Sequence, residues 1–254
     1  MKVTAFVGSA RKKHTYNATE KLLQNLTLLG DVECEIVHLT DYNLETCKGC
    51  IVCFNKGEEF CPLKDDRDKL IEKINNSDGV IFASPNYAFH VSAIMKILLD
   101  RLAFVLHRPR YFGKVFTSIV AQGIYGGKDI LKYFNFIGSG LGFNVVKGCC
   151  IKTLEPLTKE DQEKIEKIID KQSKRFYSKL LKNKYQTPSL LKLMMFRYVR
   201  SSMKSKLNEE YKDYIYYKEK GWFESDYYYP VELNFIKKMI GKFFDWMGTK
   251  ISTQ

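Results

Sequence analysis

Short β-rich apolar runs alternate along the chain with longer segments whose apolar residues recur every three or four positions. Residues 3–7, 32–39, 79–83, 115–121 and 143–150 form the short runs. Their length, β-branched content and flanking Gly or Pro match strands buried in a parallel sheet. The run 32–39 is mixed and alternating, as an edge strand is. Helices are predicted between them. Residues 15–29 carry Leu22, Leu23, Leu26 and Leu29, and 66–75 carry Leu70, Ile71 and Ile74. Residues 91–106 carry Ile94, Met95, Leu98, Leu99 and Leu102, followed by 127–140 and 158–182. The last of these opens with Thr158 and Asp161 at capping-box spacing. Five strands with intervening helices imply an α/β fold, a doubly wound five-stranded parallel sheet. Ligands of such sheets bind beyond the carboxyl ends of the strands, which directs attention to loops 8–16, 84–91 and 122–127.

The pattern changes after about residue 183. A domain over 1–183 and a helical, basic-aromatic C-terminal extension over 184–254 are expected. The extension offers helices over 189–204 and 233–250 around an aromatic stretch at 211–229. Tyr227, Tyr228 and Tyr229 are expected to cover a surface. Ile236, Met239, Ile240, Phe243, Met247 and Ile251 form one stripe at helical spacing, with Lys237, Lys238, Lys242 and Asp245 off it. Such a stripe marks an interface; a neighbouring subunit is the expected occupant, with the first domain's outer surface and a membrane interface, which Lys beside Phe and Trp246 also describes, as the alternatives.

Composition narrows the class. The 254 residues are 45% hydrophobic and 28% charged, which excludes wholesale disorder. Lys and Arg number 41 against 29 acidic residues, a net charge of +12 that suits a phosphate-bearing or otherwise acidic partner. Residues 1–8 read as a strand rather than a leader, and no apolar run reaches the ~18 residues needed to span a bilayer. A cytoplasmic chain is expected. Its lysines interleave with apolar residues at helical spacing, so nucleic acid is not an expected partner; a membrane surface is a less expected one than a second subunit. There is no HExxH and no GxSxG, which disfavours zinc hydrolases and α/β-hydrolases.

The first loop, Gly8-Ser9-Ala10-Arg11-Lys12-Lys13-His14-Thr15-Tyr16, combines hydroxyls, cations and a helix N-terminus, the requirements of a phosphate monoester site. A solvated basic turn is the alternative. The loop lacks both GxGxxG and GxxxxGK[ST]. In the next, Ser84-Pro85-Asn86-Tyr87-Ala88-Phe89-His90, backbone polar groups and two aromatics could border a planar heterocycle, or the rings could pack under the following helix.

These motifs resemble the NADPH-dependent FMN reductase family, flavodoxin-like in fold. The likeness rests on Gly8-Ser9-x-Arg11, Ser84-Pro85-Asn86-Tyr87, Met95-Lys96-x-x-x-Asp100-Arg101, Cys47-x-Gly49-Cys50-x-x-Cys53 with Cys61, and Asp65-Asp66. It spans roughly residues 1–180. It implies bound FMN reduced by NAD(P)H, with a flavin, quinone or similar small molecule as acceptor, and a homodimer or higher homo-oligomer. Carried over by position, Ser9, Arg11, Thr15 and Tyr16 lie at the FMN phosphate. Pro85, Asn86, Tyr87 and Ala88 border the ring, and Gly123, Ile124, Tyr125 and Gly126 form a third wall. The Asp100-Arg101 pair reads as a structural ion pair on a helix.

Cys47-x2-Cys50-x2-Cys53-x7-Cys61-Pro62 stands apart. Cytosolic cysteines are rarely disulfides, and three thiolates at x2 spacing with a fourth nearby can hold a cubane cluster. The motif also resembles that of iron–sulfur flavoproteins, which pair a [4Fe–4S] cluster with FMN and exchange electrons with ferredoxin. Zinc and a metal-free loop are the other readings. Cys34, Cys149 and Cys150 read as small buried hydrophobes.

Overall fold

The computed structural model describes residues 1–182 and 185–252. In chain order the elements are β1 (Lys2–Val7), α1 (His14–Leu29), β2 (Glu33–His38), α2 (Val52–Asn55), α3 (Arg67–Asn75), β3 (Gly79–Tyr87), β4 (His90–Val91), α4 (Ala93–Arg101) and α5 (Ala103–His107). They continue with β5 (Val115–Gln122), α6 (Gly127–Gly140), β6 (Asn144–Val145), β7 (Cys149–Lys152), α7 (Lys159–Leu180), α8 (Leu190–Lys206), α9 (Lys212–Glu219) and α10 (Phe235–Ser252). They fall into two compact units, Met1–Lys48 with Leu63–Lys184, and Gly49–Pro62 with Tyr185–Gln254. The expected boundary at 183/184 lies outside the described residues. The cysteine-bearing segment 49–62 groups with the second unit rather than with the chain that flanks it.

In the first unit the sheet runs β2-β1-β3-β5-β6, with all of these pairs parallel. This is the flavodoxin-like order, whose ligand crevice opens between β1 and β3. Burial on both faces explains why β1, β3 and β5 read as continuous apolar runs. One face packs Leu22 and Leu26 of α1 and Ile169 and Phe176 of α7 against Val3, Ala5, Ile81 and Ile119. The other carries an aromatic file, Phe6–Phe82–Phe116–Phe143, with neighbouring ring centroids 5.1–5.7 Å apart. The Thr158–Asp161 capping box forms as its spacing predicts.

The sheet has seven strands rather than five. The run 143–150 is broken: Val115 faces Asn144, but Ile119 faces Cys149, so one extra residue is taken up between β6 and β7. That is a bulge. It falls beside Gly148, where a Cβ would stand 2.3 Å from the Ser118 carbonyl oxygen. The other added strand, β4, folds back antiparallel on the end of β3. The predicted helix 91–106 is interrupted at Leu102.

Arg101 does not pair with Asp100. Asp100 meets Lys96, while Arg101 Nη2 donates to Asp65 Oδ1 at 2.8 Å, both side chains almost wholly buried. Asp65 also accepts the Glu45 amide at 2.9 Å, and Asp66 accepts the Asn43 amide at 2.8 Å. The chain leading to the cysteines is thereby pinned to the start of α3. Burial alone would raise the Asp65 pKa. The Glu45 amide, the Arg101 guanidinium and the Arg67 amide outweigh it and hold the carboxyl below its usual range.

In the second unit α10 lies on α8. Arg197 Nη1 and Arg200 Nη2 donate to Asp245 Oδ2 at 2.8 and 2.7 Å, and Ser201 donates to Oδ1 at 2.9 Å. The helices close up at Gly248, where a Cβ would stand 2.6 Å from the Tyr198 carbonyl oxygen. The face of α10 turned to its neighbour is therefore built on Gly241, Asp245 and Gly248, not on the predicted apolar stripe. Ile240 and Met247 are half-buried, Ile236, Met239 and Phe243 are exposed, and the Ile251 side chain lies outside the described residues. Tyr227 and Tyr228 do not cover a surface. They pack into an aromatic cluster with Phe196, Tyr217 and Trp222.

Removing Arg101 strands a buried carboxylate, so Arg101→Met is expected to lose about 3–5 kcal/mol in urea unfolding. The lowered Asp65 pKa contributes stability that is complete above the unfolded carboxylate value of about 3.9 and is lost as pH falls below it. That acid-side loss should be smaller in the variant. An unchanged urea midpoint or an identical acid profile refutes the assignment.

Candidate functional site

At the carboxyl ends of β1, β3 and β5 the first unit opens a cavity of about 250 Å³. Ser9, Arg11, Lys13, His14 and Thr15 line one side, Pro85, Asn86 and Tyr87 another, and Ala121, Gln122, Gly123, Thr153 and Glu155 the rest.

The first loop is bound to its surroundings through the backbone. The Gly8 amide donates to the Ala83 carbonyl at 2.8 Å, and the Ser92 hydroxyl donates to the Gly8 carbonyl. His38 Nε2 donates to the Ser9 carbonyl at 2.6 Å and is itself oriented by Thr40. The Ser9 hydroxyl donates to the Arg11 carbonyl at 2.9 Å, which curls the loop before α1. Helix α1 has no side-chain cap and no acid in its first turn. Its free amides and positive dipole end, with Arg11 and Lys13 beside them, favour an anion. The one carboxylate among the described lining residues, Glu155, is paired with His14 Nε2 at 2.8 Å.

The second and third loops lock together. Ala88 and Phe89 form the two-residue turn between β3 and β4, both at positive φ, 47° and 62°. Hairpin turns of this kind normally use Asn or Gly. The turn holds the Phe89 ring 5.1 Å from that of Tyr125. Asn86 Nδ2 donates to the Tyr125 carbonyl at 2.8 Å. Gly126, at φ 96°, sits where a Cβ would come within 3.0 Å of both Asn86 and Phe89. Asn86 Oδ1 is buried with no hydrogen-bond partner, a cost of about 1–3 kcal/mol unless a ligand donor meets it. Tyr87, Phe89, Ile124 and Tyr125 form an exposed aromatic and apolar rim.

Of the residues singled out from sequence, Ser9, Arg11, Thr15, Pro85, Asn86, Tyr87 and Gly123 line the cavity. Ala88, Ile124, Tyr125 and Gly126 shape its rim without lining it, and Tyr16 packs edge-on against His38. Gln122, Thr153 and Glu155 carry no motif of their own. Thr153 donates to the Gln122 carbonyl through its amide at 2.8 Å, so the end of β7 brings them in.

The cysteines separate by environment. Burial pushes Cys149 up to about 12; Cys34 and Cys150, expected to be buried, are half-buried, and partial burial still pushes them up to about 11, which makes all three poor nucleophiles. Cys47 and Cys50 are exposed, and Cys53 and Cys61 half-buried. Four thiols are the donor chemistry of an iron–sulfur site. Among the described residues, however, no group of three His, Cys, Asp or Glu side chains is gathered to hold a metal.

The model of the NADPH-dependent FMN reductase family matches residues 1–152. The chain belongs to this family. It is an FMN-dependent oxidoreductase that uses NAD(P)H. Two proteins of Archaeoglobus fulgidus named iron–sulfur flavoprotein are similar to it. One is 36% identical over half of this chain and 62% of its own length. The other is 31% identical over 87% of this chain and all of its own. The fold is shared with a solved structure of RosB with bound 8-demethyl-8-formylriboflavin-5'-phosphate, at 14% identity, TM-score 0.57 and 92% coverage of each chain. No helix among the described residues is long and apolar enough to cross a membrane.

Relieving the left-handed strain in the hairpin should stabilise the fold. Alanine there costs about 1–2 kcal/mol, and glycine's extra unfolded-state entropy takes back about 0.5–1. Ala88→Gly is therefore expected to raise Tm by about 1–3 °C. A lower Tm in calorimetry counts against a strained hairpin.

Proposed function

We propose that this cavity and its rim hold FMN, and that the enzyme passes electrons from NAD(P)H to a small acceptor such as a flavin or quinone. The observation that carries the reading is the buried, unmet acceptor Asn86 Oδ1. Asn86 lines the same cavity as the uncapped N-terminus of α1, so one site joins a side-chain amide suited to a ring edge with a binding place for a phosphate. Bound FMN supplies hydride acceptance from the nicotinamide and onward transfer to the acceptor. Arg11, Thr15 and the first-turn amides of α1 bind the phosphate. Ser9 keeps the loop curled around it, and Tyr16 braces that loop through His38. Pro85, Asn86, Tyr87 and Ala88 border the ring, and Gly123, Ile124, Tyr125 and Gly126 wall it on the third side. Tyr87 and Tyr125, exposed at the rim, offer flat faces to an incoming planar acceptor.

Replacing Arg11 by Ala removes a charge-assisted bond worth about 1.5–3 kcal/mol. FMN affinity should fall roughly ten- to a hundredfold while riboflavin affinity stays unchanged. Flavin fluorescence titration checks this, and equal losses for both ligands refute the phosphate assignment.

A second reading draws on the name of the two Archaeoglobus relatives and the four cysteines. In it Cys47, Cys50, Cys53 and Cys61 ligate a [4Fe–4S] cluster, which supplies one-electron exchange with a ferredoxin-like protein. Protein prepared without oxygen should then contain iron and sulfide. Cys50→Ser should lose them and keep FMN, because the flavin loops lie elsewhere in the chain. Wild-type protein free of iron and sulfide ends this reading and leaves the reductase reading intact.

A further inference from the structure

We propose that the outer face of α10 docks on an anionic lipid surface, with the helix lying in the plane of the interface. Phe235, Ile236, Met239, Phe243 and Trp246 are each 53–75% exposed. At 100° per residue they fall within one arc of roughly 100°. The side that meets α8 is already complete, through Gly241, Gly248 and the Asp245 carboxylate. The apolar arc is therefore surplus to the packing of its own unit. Apolar side chains gathered in this way mark an interaction site.

Charge selects the occupant. Lys238 and Lys242 are exposed beside the arc, and Lys250 Nζ sits 5.0 Å over the Trp246 ring. Asp245 is the helix's single acidic residue, and its carboxylate is shared by Arg197 and Arg200. A second copy of this face would bring lysines against lysines with no carboxylate on the helix free to meet them. An anionic bilayer satisfies both halves of the pattern. The apolar arc enters the acyl boundary, and the lysines meet headgroups. The net charge of +12 has the same sense. No described helix is able to span the membrane, so α10 lies on it. This prefers the less expected of the sequence-based readings of the stripe, a membrane interface, over the neighbouring subunit. It is independent of the flavin reading.

The protein carries its own reporter. It has two tryptophans, Trp222 buried and Trp246 exposed. The full-length, FMN-loaded protein is mixed with vesicles of phosphatidylcholine alone or of phosphatidylcholine with phosphatidylglycerol, then sedimented. Binding to the anionic vesicles alone is expected, with a blue shift in emission that disappears in Trp246→Phe. Lys238→Gln and Lys242→Gln should each weaken binding about fivefold, and Phe243→Glu should abolish it. Retained flavin absorbance shows that these surface variants fold. The proposal is overturned if the anionic vesicles leave the protein in the supernatant, or if neutral vesicles bind it equally. It is also overturned if light scattering finds an oligomer that Phe243→Glu splits, which would give this face to a second copy.

Discussion

The crevice depends on one close approach, the passage of the chain over α4 at Gly8. A Cβ there would stand 2.7 Å from Met95 Cβ, closer than real side chains come. Without one, the Gly8 carbonyl reaches the Ser92 hydroxyl while its amide reaches Ala83. Ser92 in turn caps α4, and its own amide donates to Ser84 Oγ at 2.9 Å. The end of β1, the end of β3 and the start of α4 are thus one hydrogen-bonded unit. The basic loop curls away from this anchor, and the uncapped turn of α1 faces the cavity because the preceding backbone has no freedom to carry it elsewhere. A larger residue at Gly8 would part the two strands whose divergence creates the site.

Much of this was legible in the sequence because local pattern and tertiary outcome agree. Both-face burial makes the central strands continuous apolar runs, and strand ends with small or polar residues locate the loops. What was not legible arises where distant segments meet. Glu155 is an unremarkable acid in the sequence. It enters the site because β7 extends past Gln122 and the chain then turns toward His14. The Asp65–Arg101 pair displaced the adjacent Asp100–Arg101 reading for the same reason. Residues i and i+1 point to different sides of a helix, so Arg101 faces the buried carboxylate while Asp100 faces Lys96 in solvent. The hairpin turn was hidden more deeply. Ala88 and Phe89 carry no turn signal; the antiparallel pairing of β3 with β4 and the Phe89–Tyr125 contact hold them at positive φ.

The second unit shows why an apolar stripe in sequence is ambiguous. Helical spacing groups Ile236, Met239, Ile240, Phe243 and Met247, but it does not say which edge of the group is buried. Here the choice was made by small residues and a carboxylate. Gly241 and Gly248 let α8 come close, and Asp245 finds two guanidinium groups. Burial would raise the Asp245 pKa, and hydrogen bonds from Arg200, Arg197 and Ser201 hold it low instead. Rotating α10 to bury the apolar stripe would strand the Asp245 charge, at a cost of several kcal/mol. The polar contact therefore fixes the rotation of the helix and leaves its greasiest side outside.

The same division explains how one excess of positive charge serves two purposes. Arg67, Arg101, Arg108, Arg197 and Arg200 are all nearly inaccessible. A planar guanidinium with five donors can be buried among carboxylates and carbonyls where a strongly hydrated ammonium cannot. Most of the arginines thus belong to the interior, and Arg101, Arg197 and Arg200 each hold separated segments together. The surface excess is carried largely by lysine, apart from Arg175 on α7 and Arg11 at the mouth of the cavity. A bidentate side chain at that one position suits a fixed phosphate. The mobile point charges along α10 suit a surface whose anions have no fixed positions.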